Sequence, residues 1–386
     1  MKALLEKLSL LSLSLMLVST FSTSTALPQM ISTFQQRGYA ASQVEMLFSI
    51  SSFAIMGMLV INPFLDRFLS ERSSIILGLS FIAFGGSLPV VGKTYALVVV
   101  SRVLLGMGIG LINARAISII SENYQGNERA QMLGFRGSFE VLGNAFLTAL
   151  VGFLVPFGWS WAFIVYLFAL PILLFYLLFA PKRAVVAEVA SQKTSAKFTK
   201  KDIVYIVGLS LLAGFVININ SDNSLRIPVI VDQLHLGSPR QASLILSGMM
   251  LMGILSGICF EGLLARFKKQ LIIVSLLPFA LGLFMLGVAH NLWLMLIGAM
   301  LSGFWYSIVV TSVFSNVSNK ISPQLIGHAT TLVLLFCNFG GASAAIVLNL
   351  FSKINLQPGF AFVIYAIISL IISLVLMFKT RFLSQK

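Results

Sequence analysis

Residues 15–30 read LMLVSTFSTSTALPQM. Preceded by Lys2, Lys7 and an apolar run, the stretch has the outline of a cleavable secretory signal ending near STA (24–26). It has equally the outline of a first membrane helix, with Ser or Thr at six of the seven positions 19–25. The choice is decided far downstream. STSTALPQMI (22–31) aligns with DNSLRIPVIV (222–231), so that Ser24 meets Ser224 and Pro28 meets Pro228. PFLDRF (63–68) aligns with GLLARF (262–267) in the same way, matching Leu65, Arg67 and Phe68. Gly106 and Gly143 align with Gly303 and Gly340, and the four offsets run 200, 199, 197 and 197. A segment with a counterpart at 208–234 is part of an internal repeat, so 8–34 is expected to be a retained helix, with a cleaved signal as the alternative.

The composition fits a membrane solvent. The chain has 386 residues, of which 58% are hydrophobic and only 10% charged, whereas soluble domains carry about 25% charged residues. A net charge of +14 would suit a nucleic-acid partner, but the charges fall in short segments between apolar runs, as in a polytopic protein obeying the positive-inside rule. Twelve segments are apolar over the roughly 20 residues a span requires. They begin near Leu8, Gln43, Ser73, Tyr95, Ala130, Trp159, Ile203, Gln241, Leu271, Asn291, Gly327 and Gly359. With the N-terminus inside, 18 Lys and Arg fall on the inner side and five on the outer (Arg37, Lys93, Arg226, Arg240 and Lys353). Both termini are therefore expected in the cytoplasm of a plasma-membrane protein. Cys259 and Cys337 lie inside apolar segments and the three histidines are far apart, so neither a disulfide, a metal site nor another cofactor is expected.

The predicted fold is an all-α membrane protein of 12 transmembrane helices in two parallel-repeat six-helix lobes: 1–180, a cytoplasmic linker at 181–202, and 203–386. Six helices per half put the halves in one orientation, the architecture of a two-lobed secondary transporter.

Several polar residues lie where hydropathy predicts lipid depth. Asn218, Asp222 and Arg226 follow one another at i, i+4 and i+8 on one face of the seventh helix. From Ile203 to Val231 that helix would be about 43 Å long, so Arg226 would reach the outer interface. The trio is either a substrate or proton site or an interfacial ion pair that satisfies itself. Ser22 and Thr23 in the first helix would line a polar cavity opposite them, or else simply pack helices through small residues. The fifth helix repeats the spacing with Arg136, Glu140 and Asn144, and the fourth adds Arg102, Asn113 and Arg115. Ionised groups at the bilayer centre cost at least about 2.5–3.5 kcal/mol and normally face a cavity or a partner. Glu140 is read as the most deeply placed acid, paired with Arg115 or Arg136, either as a proton carrier or as a static ion pair. GMGIG (106–110) lies inside a helix without a preceding strand and reads as helix packing, not as a nucleotide loop. FSNVSNKIS (314–322) reads as a loop after the tenth helix.

Three phrases carry a family resemblance. NPFLDRFLSER (62–72), read as the loop after the second helix, is similar to the loop 2–3 signature of the major facilitator superfamily, with Asp66 and Arg67 matching and Arg72 standing for its basic tail. Asn62 and Leu69 stand where that signature has glycines. SRVLLGMGIG (101–110) resembles the helix-4 signature, and GWSWAFIV (158–165) a common opening of helix 6. The helix-5 Gly-Pro signature of exporters is not matched, since VLGNAFLTALVG (141–152) has no proline before Pro156. The resemblance implies a cytoplasmic gate at Asp66, Arg67 and Arg72, alternating access, a monomer in the lipid bilayer, and a small-molecule substrate moved with protons. Drug-and-metabolite exporters are the nearest in phrase, which favours efflux, and proton-coupled uptake of a small neutral or anionic metabolite is the alternative. The cations inside helices outnumber the acids and the first helix has no acid, which argues against lipophilic cations. A membrane-embedded lipid-modifying enzyme is the distant alternative, since no HExxH, His-rich motif or pair of Asp on facing helices is present. A channel is the other.

Overall fold

The computed structural model of the chain describes residues 2–65, 67–180, 198–322 and 325–384. Their regular structure is helical throughout, in twelve apolar segments. The first, α1, is a bent pair, Leu4–Met16 and Ser19–Gln35, angled by 46°. It is followed by α2 (Ala41–Leu65), α3 (Glu71–Val91), α4 (Tyr95–Asn123), α5 (Gly126–Leu154) and α6 (Trp159–Phe179). Then come α7 (Lys200–Gln233), α8 (Pro239–Phe267), α9 (Leu271–Gly287), α10 (Leu292–Lys320), α11 (Ile326–Ile354) and α12 (Phe360–Ser384). Ten are long and apolar enough to cross a membrane alone; the bent α1 qualifies as a pair, and α9 has only 17 residues. The chain folds as two compact units, Met1–Lys193 with α1–α6 and Thr194–Lys386 with α7–α12.

Local sequence places the helix starts. The Ser70 hydroxyl accepts from the Ser73 amide at the head of α3, Thr94 does so for α4, and the Asn291 side chain accepts from the Leu294 amide to start α10. Capping boxes Thr199–Asp202 and Ser238–Gln241 open α7 and α8. The α5–α6 corner turns at Gly158, whose φ of +117° a residue with a Cβ adopts only under strain.

Three boundaries differ from the sequence reading. The expected linker runs to 202, but α7 begins at Lys200 because Thr199 caps it; residues 181–197 of that linker lie outside the described residues. The stretch read as a loop at 314–322 continues α10 to Lys320, helped by Asn319 donating to Ser315 one turn back. Residues 62–65, read as loop, end α2, because Asn62 is buried and its amide donates to the Gly110 carbonyl of α4 at 2.8 Å.

The repeat is visible in how each unit packs. A Cβ on Gly106 would strike the Ser51 carbonyl of α2, and one on Gly303 the Met249 carbonyl of α8. Likewise Gly143 presses on the Leu15 backbone of α1, and Gly340 on the Gly214 backbone of α7. The aligned glycines thus sit at the same two crossings in both units, where only a missing side chain permits backbone contact. Gly340→Ala is expected to destabilise by about 1–3 kcal/mol, since α7 and α11 must separate. Gly208→Ala, with nothing within 4 Å of its Cβ, is expected to leave the thermal unfolding midpoint in place. An unchanged midpoint for Gly340→Ala would refute the close crossing.

A second correspondence lies at the helix ends. Lys7 Nζ pairs with Glu128 at 2.6 Å and stands 5.7 Å from the Tyr124 ring centroid, joining α1 to the ends of α4 and α5. At the positions 198 and 196 residues later the partners are exchanged: Tyr205 on α7 offers the ring and Lys320 on α10 the cation, at 3.8 Å.

Candidate functional site

The first helix is not the regular spanning helix that hydropathy predicts. Residues 13–26 run through three 3₁₀ turns, with Val18 (φ −112°, ψ 15°) and Thr23 (φ −89°, ψ 9°) outside helical geometry. The cause is the hydroxyl stretch itself, because Ser and Thr side chains compete for the carbonyls of their own helix. The Ser9, Ser12 and Ser19 hydroxyls each donate to the carbonyl three residues back.

Carbonyls within this stretch are met by two side chains from elsewhere in unit 1. Arg102 Nη1 donates to the Thr20 carbonyl at 3.4 Å and to Tyr166 Oη at 3.1 Å, while Nη2 donates to Thr23 Oγ1 at 2.7 Å. Tyr166 in turn donates to the Ser19 carbonyl at 3.1 Å. The guanidinium lies 4.4 Å from the Phe48 ring centroid and 4.7 Å from that of Phe163. It is wholly enclosed, at 0% exposure. Read as a binding candidate, Arg102 stands instead inside the unit, tying α1, α2, α4 and α6 together. Ser22 and Thr23 are also enclosed, which agrees with the packing alternative and not with an open polar stripe. The Ser22 hydroxyl donates to Asn144 Oδ1 of α5 at 2.8 Å, and Thr23 meets Arg102 and Tyr166.

A second polar group of unit 1 joins α4 to α5. Arg136 Nη2 pairs with Glu140 Oε1 at 2.6 Å and donates to Asn113 Oδ1 at 2.9 Å. Of the two arginines expected to meet Glu140, this places Arg136 in contact. Arg115 is half-buried two residues beyond Asn113. Asp222, at 0%, and Glu45 on α2, at 4%, are more enclosed than Glu140, whose side chain is 21% exposed. Proximity to Arg136 at the unit surface, and not enclosure, is what satisfies it. Glu45 escaped the sequence reading because it lies close to the start of its span.

In unit 2 the α7 trio divides. Asn218 donates through Nδ2 to the Gly340 carbonyl at 3.0 Å and to Ser343 Oγ at 3.1 Å, both on α11. Its Oδ1 lies 2.8 Å from Tyr365 Oη of α12, and the same phenol oxygen contacts Asp222 Oδ2. Arg226 follows one turn on and is half-buried. Next to Asp222, Asn223 turns towards Ser302 of α10 and Met249 of α8.

Tyr166 and Tyr365 were missed by sequence reasoning, although a signal was present. WAFIVY (161–166) and FAFVIY (360–365) stand 199 residues apart, within the offsets of the repeat. Both tyrosines enter from the last helix of their unit and contact its first helix and an ionisable group: Tyr166 joins α1 to Arg102 of α4, whereas Tyr365 meets Asn218 and Asp222, both on α7. Of the expected gate, Arg67 and Arg72 are exposed beside the turn into α3, and Asp66 lies outside the described residues.

The family model described as Major Facilitator Superfamily matches residues 10–237 and 211–385. Among solved structures, the fold is similar to the inward-open xylose transporter XylE from E. coli, at 17% identity over 96% of this chain and 94% of that one, with TM-score 0.73. It is also similar to the nucleoside transporter NupG, at 15% identity over 96% and 98% of the two chains, with TM-score 0.71. A mutant peptide transporter POT in complex with sulfate gives 15% identity over 96% and 93%, with TM-score 0.77. A search of curated proteins returned no match.

Proposed function

This chain belongs to the major facilitator superfamily, a family of multi-pass membrane transporters and not of enzymes, and from that premise we propose that it is a proton-coupled carrier of a small neutral, zwitterionic or anionic organic solute. Secondary transport is the activity of the family; coupling, direction and substrate class are our reading. The observation that carries the reading is that ionisable side chains inside the spans are gathered into groups, with Arg136–Glu140–Asn113 at the surface of unit 1 and Asn218–Tyr365–Asp222 inside unit 2. Such groups are costly in lipid and persist where they bind something or move charge. Asn113, Arg115, Arg136, Glu140 and Asn144 are assigned to solute contact in unit 1 and Arg226 in unit 2, while Arg102, Ser22 and Thr23 serve as scaffold. Asp66, Arg67 and Arg72 are assigned to the cytoplasmic gate. Both termini are placed in the cytoplasm by the Lys and Arg asymmetry, the chain acts as a monomer in the plasma membrane, and export is the direction carried forward from its helix-4 and helix-6 phrases.

The test uses purified protein in liposomes loaded with a pH dye, challenged from outside with a panel of metabolites and drugs. Antiport, as export requires, makes the lumen alkaline as the compound enters, and symport makes it acidic. Exchange of a labelled compound without any proton movement would overturn coupling. Arg136→Ala and Glu140→Gln are each expected to lower solute turnover at least tenfold, and wild-type turnover in both would remove that group from the solute path.

A further inference from the structure

We propose that Arg102 holds the first half of α6 overwound, and that α6 is a two-state helix that rewinds when α1 withdraws from the guanidinium. This goes beyond the transport reading and stands whatever solute is carried. Residues Trp159–Phe168 form a continuous 3₁₀ helix of ten residues. The hydrogen bonds of a 3₁₀ helix are poorly aligned, and runs beyond three or four residues are uncommon. So long a run is held by tertiary contacts. Beside it two more helices of unit 1 depart from α geometry: α1 in its 3₁₀ turns, and α3 in a π-turn at Phe81–Gly85. A Cβ on Gly86, the residue after that turn, would strike the Tyr166 ring, so α3 is deformed where Tyr166 of α6 presses on it.

The contacts that hold the run come from Phe163 and Tyr166. Side chains three apart eclipse in a 3₁₀ helix, about 6 Å apart along the axis. On an α-helix they diverge by about 60°. The two ring centroids are 6.3 Å apart. The guanidinium reaches both, at 4.7 Å from the Phe163 centroid and 6.0 Å from that of Tyr166, and Nη1 donates to the phenol oxygen at 3.1 Å. α geometry would swing one ring away from it. The repeat supplies the comparison. Phe362 and Tyr365 stand 199 residues later with the same spacing, both buried, yet α12 is α-helical. α10 carries no arginine, and Ala299 stands 197 residues after Arg102. Tyr365 turns to Asn218 and Asp222 of α7 instead.

Pro171 is the competing cause, since it lacks an amide donor and Leu370 stands at the aligned position of α12. A proline disturbs the carbonyl four residues before it, here that of Leu167. It therefore accounts for the last turn of the run and not for the turns before it. Arg102 reaches those, and it also reaches α1, donating to the Thr20 carbonyl and the Thr23 hydroxyl. Drawing Thr20 and Thr23 away unseats the guanidinium from the two rings. Ten residues that relax from 3₁₀ to α shorten a helix by about 5 Å and turn it by about 20° per residue. Trp159, at the head of α6, packs on Phe34 near the end of α1 with centroids 5.5 Å apart. A displacement of α1 is thereby converted into a change of length and rotation in α6.

The experiment reads that rotation at two neighbouring positions. Trp161 is 45% exposed, like Leu174 and Leu178 of the second half, whereas Ser160 is enclosed. Rewinding turns Ser160 by about 160° relative to the second half, onto the exposed side, and carries position 161 away from it. Ser160→Cys and Trp161→Cys are made singly in the full chain, with Cys259→Ser and Cys337→Ala removing the native thiols, and are labelled in liposomes with a membrane-permeant maleimide. With Arg102 present, position 161 is expected to label at least tenfold faster than 160. Arg102→Leu is expected to reverse the order, and so is Tyr166→Phe, which keeps the ring and carries the test should the leucine variant fail to fold. Thr23→Val is expected to speed labelling at 160. Pro171→Ala, which releases one turn of three residues or about 60°, is expected to preserve the order. An unchanged order in folded Arg102→Leu and Tyr166→Phe, or a reversal in Pro171→Ala, overturns the proposal. Equally fast labelling at both positions overturns it too, as fraying and not rewinding. Labelling unmoved in Thr23→Val removes α1 from the device.

Discussion

Arg102→Leu is expected to cost unit 1 about 3–5 kcal/mol, as two or three buried polar groups left without their donor imply, and to lower the thermal midpoint in detergent by on the order of 10 °C. The reason is the unwound α1. With leucine at 102 the Thr20 carbonyl and the Thr23 hydroxyl lose their donor, and Tyr166 loses the cation that fixes its hydroxyl. Each buried polar group left unsatisfied costs about 1–3 kcal/mol, and the stacking between Phe48 and Phe163 goes as well. Arg102→Lys is expected to rescue little. An ammonium is a point charge, and it cannot lie flat between two rings while reaching partners on α1 and α6. A lysine variant with wild-type unfolding would show that charge alone, not the guanidinium plane, holds the bend.

Asn218→Asp is expected to be the most damaging single-atom-scale change in unit 2, abolishing transport and costing about 3 kcal/mol, against about 1–2 kcal/mol for Asn218→Ala. Aspartate matches asparagine in shape, so packing is conserved. It has no amide donors, however, so the Gly340 carbonyl keeps the Ser343 hydroxyl but loses the Asn218 amide, Ser343 loses the donor it received, and a second carboxyl is set one turn from Asp222. Thermal unfolding of the two variants side by side tests this. If the aspartate variant is the milder of the two, volume and not hydrogen bonding governs the α7–α11 crossing.

The candidate site was legible in part. The α7 trio was found because three polar residues at i, i+4 and i+8 stand out in an apolar segment, and the same spacing exposed Arg136, Glu140 and Asn144. Spacing could not say that Asn218 and Asp222 turn to a tyrosine on α12 while Glu140 turns to Arg136 on its own helix. Nor could it mark Tyr166 and Tyr365, since a tyrosine in an apolar run looks like an interfacial anchor until its partners are known. The hydroxyl stretch of α1 has two readings in sequence, a polar cavity wall or helix packing, and Ser22 and Thr23 are enclosed as packing requires. Its residues suit an open polar wall as well as they suit an enclosed network, and the side chain that decides between them sits in α4.

The sequence by itself determined the number of spans and the repeat that relates the two halves. Partition between water and lipid is a property of each segment alone, so hydropathy records it directly, and the glycines that let helices touch recur at fixed offsets because both halves pack alike. Where α1 breaks, which carbonyls are met by Arg102 and Tyr166, and which partners on α11 and α12 Asn218 meets are settled by the tertiary structure alone. Those outcomes depend on the rotation of helices joined by contacts between residues 79 to 147 positions apart. Hydrogen bonds have short reach and strict direction, so a segment read alone cannot say which of its polar atoms will be paired.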